Sequence, residues 1–212
     1  MVKHKGETSY KETIFGIIPR SKLIPLEIEG IKKAWDFVLQ KKEKNKLPLT
    51  TEFIKKIHNV GFGWIFPKMG GRYRNIEVKV SKHIPPNFYL VPQLMIEFVM
   101  DLQIRIKHLP EIEEENFLDE LVSFIAWAHH RFSWIHPFQD YNGRVGRLLN
   151  NVILLNLDLP PIELRVETTS GRNNYIKALQ LADNHNYSEL EKIIKTAIEE
   201  SVKELASGKI LC

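Results

Sequence analysis

The residues of this chain best suited to chemistry lie in one run, 136–147. It reads His-Pro-Phe-Gln-Asp-Tyr-Asn-Gly-Arg-Val-Gly-Arg, which places a potential base, an acid, an amide, two glycines and two arginines within twelve residues. His136 can act as a general base near neutral pH. Asp140 is a hard oxygen ligand, suited to a Mg²⁺ ion that also contacts phosphate. We therefore interpret the run as a phosphate-handling loop.

The second half of the run is expected to open a helix that points its N-terminus at an anion. Pro137 biases His136 away from helical dihedrals, and the apolar stretch after residue 147 predicts a helix that begins near 142–144. Free N–H groups and the positive dipole end at such a helix start bind anions. Arg144 and Arg147 are three residues apart, so they share a helix face and can bind several phosphate oxygens.

Other interpretations of the same residues are weaker. The segment 143–146 is also a Gly-x-x-Gly loop, as in KH nucleic-acid modules, but so short a pattern arises often by chance. His129 and His130 are adjacent on a predicted helix and point in different directions, so they cannot join His136 and Asp140 around one metal ion. A Walker A loop is excluded because no Gly-Lys-Ser/Thr follows the glycines.

The run resembles the signature of the Fic family, His-x-Phe-x-Asp/Glu-Gly/Ala-Asn-Gly-Arg-x-x-Arg. The specified position that departs is Tyr141, where the family usually has a small residue. Doc-like phosphotransferases carry Lys after the Asn, whereas this chain has Gly143. The resemblance therefore implies transfer of a nucleoside monophosphate rather than of a terminal phosphate.

The resemblance implies a Mg²⁺-dependent protein adenylyltransferase that moves AMP from ATP to a Ser, Thr or Tyr hydroxyl of a target protein. Its implied catalytic residues are His136, as the base, and Asn142, which would hold the α-phosphate together with loop N–H groups. The residues implied to bind nucleotide or metal are Asp140 (also the Mg²⁺ ligand), Gly143, Arg144, Gly146, Arg147 and Tyr175. Removal of AMP from a modified protein and a catalytically silent binding module stay open as alternatives.

A second segment, 71–80, has the period of a strand. Ile76, Val78 and Val80 alternate with Glu77 and Lys79 after a Gly-Gly turn, which predicts a hairpin. In the Fic family a β-hairpin called the flap docks the target by strand addition. The resemblance assigns this role to Arg72, Tyr73, Arg74, Ile76 and Val78.

A third segment, 25–30, resembles the family's inhibitory motif Ser/Thr-x-x-x-Glu-Gly/Asn. Glu29 and Gly30 match, and Pro25 replaces the hydroxyl residue. The resemblance implies that Glu29 pairs with Arg147, takes the place of the γ-phosphate and restrains the enzyme. Glu200 is a weaker candidate because neither Gly nor Asn follows it.

The whole chain favours one globular unit. Of its 212 residues, 43% are hydrophobic and 26% charged, and the net charge of +4 is interleaved with acids, so we expect neither a nucleic-acid nor a membrane binder. Cys212 is the single cysteine, which excludes an intramolecular disulfide. With no apolar leader, the chain is expected to be cytoplasmic. ATP and a target protein are the expected partners, and a homodimer is left open.

Helical periodicity dominates the chain. Helices are predicted from Ile31, from Thr50 or Thr51, from Pro92, over 117–134, over 172–183 and from Ser188. The resemblance implies an all-α, Fic-type helical bundle with one small β-hairpin. We expect an N-terminal segment over 1–24, a Fic domain over 25–205 and a C-terminal tail over 206–212.

Overall fold

A computed structural model of the chain describes residues 9–44, 46–80, 83–166 and 168–208, so Cys212 and the outer parts of both terminal segments lie outside it. Within these ranges the fold is all-α with one hairpin, as predicted. The elements are β1 (Tyr10–Thr13), β2 (Gly16–Pro19), α1 (Arg20–Lys42), α2 (Thr51–His58), α3 (Val91–Lys107), α4 (Phe117–Ile135), α5 (Asn142–Asn156), α6 (Thr169–Ala182) and α7 (Ser188–Ala206). A π-helical turn, Asn59–Gly63, continues α2, and a 3-10 turn, Phe88–Leu90, precedes α3.

The central element is α4, whose sequence is apolar on nearly every side. A helix of this composition is stable only when other elements surround it, and α3, α5 and α7 pack against it. Phe132 and Ile135, in its last turn, are fully buried. The C-terminus of α4 is therefore fixed in the core, and the next residue, His136, is partly buried beside it. No helix in the described ranges has the length and apolar character needed to cross a bilayer.

Helix α1 begins at Arg20, well before the predicted start at Ile31, and it runs through the predicted domain boundary at residue 24. It crosses the π-helical turn at Gly30, where an added Cβ would lie 2.2 Å from the carbonyl oxygen of Gly61. Only glycine permits so close an approach of two backbones. Packing therefore accounts for Gly30, one of the two residues that matched the inhibitory motif.

The hairpin is not where the sequence placed it. β1 and β2 form the antiparallel pair, with Tyr10 opposite Pro19, whereas residues 71–80 contain no regular strand. The prediction of a strand over this segment is therefore wrong. Val80 and His83 form an isolated bridge with two backbone hydrogen bonds of 3.0 Å. Backbone contacts with the α4–α5 loop hold the segment instead: the Arg74 N–H donates to the Pro137 carbonyl at 2.9 Å.

Cap residues were predictable at α2 but not at α7. The Thr50 side chain accepts a hydrogen bond from the Phe53 N–H at 3.1 Å, as its sequence position predicted. Ser188 is already helical, and Tyr187 takes the N-cap position of α7 without a side-chain hydrogen bond. Ser188 therefore begins α7, as predicted, but its side chain does not cap the helix.

Candidate active site

The signature loop, residues 136–141, joins α4 to α5 through two residues in the left-handed conformation. His136 has φ 50° and ψ 60°, and Tyr141 has φ 65° and ψ 10°. Such dihedrals cost a residue with a side chain roughly 1–3 kcal/mol, so surrounding contacts must hold them. The positive φ explains why a small residue suits position 141. Here the Tyr141 ring stacks on Phe62, with centroids 4.0 Å apart and planes 8° from parallel.

Asn142 braces this loop from within. Its Oδ1 accepts from the Phe138 N–H, and its Nδ2 donates to the Phe138 carbonyl, each at 2.8 Å. Both polar atoms of the side chain are thus used within the loop, so its contacts here are structural. The backbone N–H groups of Asn142 and Gly143 have no hydrogen-bond partner in the described structure. The start of α5 therefore leaves donors free for an anion.

Two residues that the signature does not contain also fix the loop. His58 stacks on Phe138, its Nδ1 accepts from the Gly71 N–H at 3.0 Å, and its Nε2 lies 3.2 Å from the Asp140 carbonyl oxygen. Nε2 must therefore carry the proton and donate. Arg74, which was predicted to face a target, is 3% exposed and donates from Nε to the His136 carbonyl at 2.9 Å. A lone histidine at a helix end gives no sequence motif, so His58 was missed.

His136 is held as a neutral imidazole. Partial burial, with the Arg74 guanidinium nearby, lowers its pKa from the usual 6.5 to about 4. At pH 7 the ring therefore carries no charge and can accept a proton.

A cavity of about 590 Å³ is lined by most of the residues that were predicted to act in catalysis or to bind nucleotide. Its volume lies within the usual range for small-molecule sites. The predicted residues that line it are His136, Asn142, Gly143, Arg144, Arg147 and Tyr175. The base, the start of α5 and both signature arginines therefore face one space, although the arginines are eight and eleven residues beyond the histidine.

Other predicted residues lie outside the cavity wall. Gly146 packs under Phe132, whose ring an added Cβ would approach to 3.2 Å, so its role here is close helix packing. Arg72 and Ile76 are exposed at the surface, and Tyr73 packs against Phe138. Val78 is half-buried. Within the segment 71–80, only Val80 lines the cavity.

The carboxylate that faces the signature is Glu27, which sequence reasoning missed. It is 1% exposed and accepts hydrogen bonds from Tyr141 Oη at 2.9 Å, Arg144 Nη2 at 2.7 Å and Arg20 Nη1 at 2.6 Å. Burial by itself would raise the pKa of Glu27, but these hydrogen bonds outweigh it and lower the pKa below the usual value. A signal existed, because Glu27 shares the buried stripe of α1 with Leu23, Gly30, Ala34 and Val38.

The structure does not bring Glu29 to the signature. Its side chain is half exposed and pairs with Lys33 at 2.8 Å. Within the described residues Arg147 has no carboxylate partner, and Glu200 pairs with Arg165 at 3.1 Å. The motif match at 29–30 is corrected accordingly: the packing requirement at Gly30 sets the rotation of α1, and that rotation turns Glu27 inward and Glu29 outward.

Asp140 is the one acid of the signature. Its Oδ1 accepts from the Tyr141 N–H at 2.7 Å, and Lys11 of β1 forms an ion pair with its Oδ2. The Lys11 ammonium also lies 5.4 Å from the centre of the Tyr141 ring. No three His, Cys, Asp or Glu side chains cluster as a metal site in the ranges that the structure describes. A single carboxylate fits Mg²⁺ whose other ligands are phosphate oxygens and water.

The chain is similar in sequence to proteins of one family. A profile of the Fic/DOC family matches residues 48–154. The chain is 27% identical over 193 residues to "Protein adenylyltransferase Fic" of Nematostella vectensis, covering 90% of this chain and 42% of that protein. It is 31% identical over 157 residues to the protein of the same name from Drosophila grimshawi, covering 74% and 30%. The chain thus spans less than half the length of these relatives.

Solved structures show the same fold. Fic-1 (residues 134–508, E274G) from C. elegans superposes with a TM-score of 0.66 at 25% identity, covering 86% of this chain and 51% of that one. BepC from Bartonella tribocorum, solved with bound AMPPNP, gives a TM-score of 0.68 at 15% identity, covering 92% and 94%. The arrangement of helices is therefore shared by proteins of distant sequence.

Proposed function

The chain belongs to the Fic/DOC family, and from this we propose that it is a protein adenylyltransferase, which transfers AMP from ATP to a Ser, Thr or Tyr hydroxyl of a target protein. The observation that carries the proposal is the single cavity shared by His136, the start of α5 and both signature arginines. Relatives named protein adenylyltransferase Fic support the same reaction. AMPPNP bound to BepC supports an ATP-like donor.

The proposed reaction is a displacement at the α-phosphorus. The target hydroxyl oxygen bonds to the α-phosphorus, the bond from that phosphorus to the oxygen of the β-phosphate breaks, and pyrophosphate leaves. His136 accepts the hydroxyl proton because its imidazole is neutral at pH 7. The free N–H groups of Asn142 and Gly143 stabilise charge on the α-phosphate, and Arg144 and Arg147 neutralise the leaving pyrophosphate.

Asp140 is the residue that we assign to Mg²⁺. The ion supplies positive charge that neutralises phosphate oxygens. Because Lys11 pairs with this carboxylate, its ammonium group would compete with the ion for Asp140.

Target docking is assigned to the segment 76–80. Ile76 and Val80 are exposed by 45% and 36%, and Val80 lines the cavity. Arg74 ties the start of this segment to the His136 carbonyl. A target strand laid along it would bring its hydroxyl close to the base.

Parallel incubations of the chain and a cell lysate with α-labelled and γ-labelled ATP test the proposal. Protein labelling from the α position alone supports AMP transfer, whereas labelling from the γ position would identify a kinase. Loss of a label from proteins that already carry AMP supports removal, and no change in either assay supports a binding module. The control is His136→Asn, because Asn tolerates the left-handed conformation but is not a base.

A further inference from the structure

Arg20 reaches the cavity from outside the part of the chain that matches the family profile, 48–154. It is the first residue of α1, and its N–H donates to the Ser9 carbonyl at 3.0 Å, at the open end of the β1–β2 hairpin. Its side chain is 44% exposed and lines the same cavity as Arg144 and Arg147. The start of α1 thus brings a further guanidinium to the cavity that Arg144, Arg147 and Arg172 also line.

Glu27 fixes the position of Arg20. One carboxylate oxygen accepts from Arg20 at 2.6 Å, and the other accepts from Arg144 at 2.7 Å. Because Glu27 is 1% exposed, both guanidinium groups are anchored on a buried anion.

The guanidinium groups retain donors that Glu27 does not use. Each guanidinium has five N–H donors, and a single nitrogen of each bonds to Glu27. Nη1 of Arg144 is buried without a hydrogen-bond partner among the described residues. A buried donor of this kind normally has an acceptor. Four arginines, Arg20, Arg144, Arg147 and Arg172, line the cavity, and the carboxylates of Glu27 and Asp183 neutralise them only in part. The missing acceptor is therefore expected to be anionic.

We propose that Arg20 binds the terminal phosphate of the nucleotide and that Glu27 is its positioning residue. The inference rests on the proposed function, because it requires a nucleotide in this cavity. It adds that the site selects a nucleoside triphosphate over a monophosphate with an arginine that the signature does not supply. AMP has no β- or γ-phosphate, so Arg20 should not contribute to its binding.

Calorimetric titration with ATP, ADP and AMP, each in the presence of Mg²⁺, tests this on the whole chain and three variants. Arg20→Ala should weaken ATP binding by about tenfold, which corresponds to about 1.4 kcal/mol, and leave AMP binding within about twofold. Arg20→Lys should show an intermediate loss, because a point charge cannot contact Glu27 and a phosphate as a planar fork does. Lys22→Ala is the matched control: it removes the same charge from an exposed position of α1 outside the cavity.

The outcomes test whether Arg20 contacts the terminal phosphate. Equal losses for ATP and AMP, or ATP affinity that Arg20→Ala leaves unchanged, would overturn its phosphate role while the proposed function stands. A loss as large in Lys22→Ala would show a long-range charge effect and also overturn it. Failure of the unaltered chain to bind any of the three nucleotides would instead reject the proposed function. Thermal unfolding confirms that each variant is folded, and Arg20→Lys carries the test if Arg20→Ala does not fold.

Discussion

Among single residues, His136 carries the proposed chemistry, because its imidazole is neutral and its backbone is held in the left-handed conformation. His136→Asn should reduce AMP transfer by about 10²–10⁴-fold, because a lost general base costs that much. ATP affinity should stay within about twofold, since the imidazole accepts a proton and does not bind phosphate. Label transfer and calorimetry on the same preparation measure the two effects. Retention of more than a tenth of the activity would rule out His136 as the base.

The lowered pKa of His136 sets the acid limit of the reaction. A base is active only when unprotonated, so transfer should be lost as the pH falls through its folded-state pKa, about 4. The profile of kcat/KM against pH should therefore be flat between about 5.5 and 7 if the pKa shift is preserved during turnover. Half-loss near 6.5 would mean that the imidazole titrates as if exposed. Thermal unfolding over the same pH range separates loss of the fold from loss of the base.

Tyr141 occupies a position where the Fic family usually has a small residue. Two opposing effects therefore set the change in stability when glycine replaces it. Tyr141→Gly relieves left-handed strain of about 1–2 kcal/mol, but it removes a stacked ring whose loss costs about 3–5 kcal/mol. The variant should therefore be less stable by about 1–4 kcal/mol in urea unfolding. Tyr141→Phe keeps the ring and loses only the hydrogen bond to Glu27, so its loss should be smaller. A Gly variant as stable as the parent would show that the stacking on Phe62 contributes little.

At the scale of elements, the crossing of α1 over the π-helical turn sets which acid enters the site. Gly30→Ala places a Cβ 2.2 Å from the Gly61 carbonyl oxygen, so α1 must move away. Overpacking of this kind costs about 1–3 kcal/mol, although alanine is the better helix former. Thermal unfolding should show a lower Tm. Gly143→Ala is the control, because its nearest neighbour would be 3.6 Å away.

The β1–β2 hairpin places a cation where the proposed Mg²⁺ ion would bind. Lys11→Met should tighten Mg²⁺ binding at Asp140, because the ammonium no longer competes for the carboxylate. Both side chains are about 40% exposed, so the pair is worth at most about 1 kcal/mol, and the gain should be about two- to fivefold. Mn²⁺ titration followed by electron paramagnetic resonance, with ATP present, measures it. Weaker binding in the variant would show that Lys11 assists the site instead.

In the molecule as a whole, Glu27 links α1 to α5 through its hydrogen bond with Arg144, so its charge should affect global stability. Its pKa is lowered in the folded state, so its contribution is complete above the usual pKa of 4.5 and is lost as the pH falls through the lower folded value. Breaking a buried pair costs about 3 kcal/mol or more. The free energy of unfolding of Glu27→Gln should therefore fall by about that amount at pH 7, with a smaller difference at pH 3.

Glu29→Gln is the matched control for that measurement. It also removes a carboxylate from α1, but Glu29 is half exposed and pairs only with Lys33. Surface substitutions of this kind usually change stability by less than about 0.5 kcal/mol. Equal destabilisation by the two variants would contradict the linking role of Glu27.

Elements that depend on local interactions could be predicted from the amino-acid sequence. The apolar period predicted the helices, Thr50 predicted the start of α2, and the glycines and polar residues of the run 136–147 predicted a loop that opens α5 near Asn142. These features follow from interactions between residues a few positions apart. His136 as the base and the two signature arginines as phosphate ligands could therefore be predicted without a structure.

The residues that approach the signature from distant parts of the chain could be identified only from the folded structure. Glu27 and Arg144 are separated by 117 positions, and Lys11 and Asp140 by 129, so no local pattern pairs them. The alternation at 76–80 predicted a strand, yet Arg74 anchors that segment to the α4–α5 loop. Glu29 matched a motif, yet the contact of Gly30 with Gly61 fixes the rotation of α1 and turns Glu27 inward. The physical reason is that a helix sequence presents several acids, and packing alone selects the one that faces the cavity.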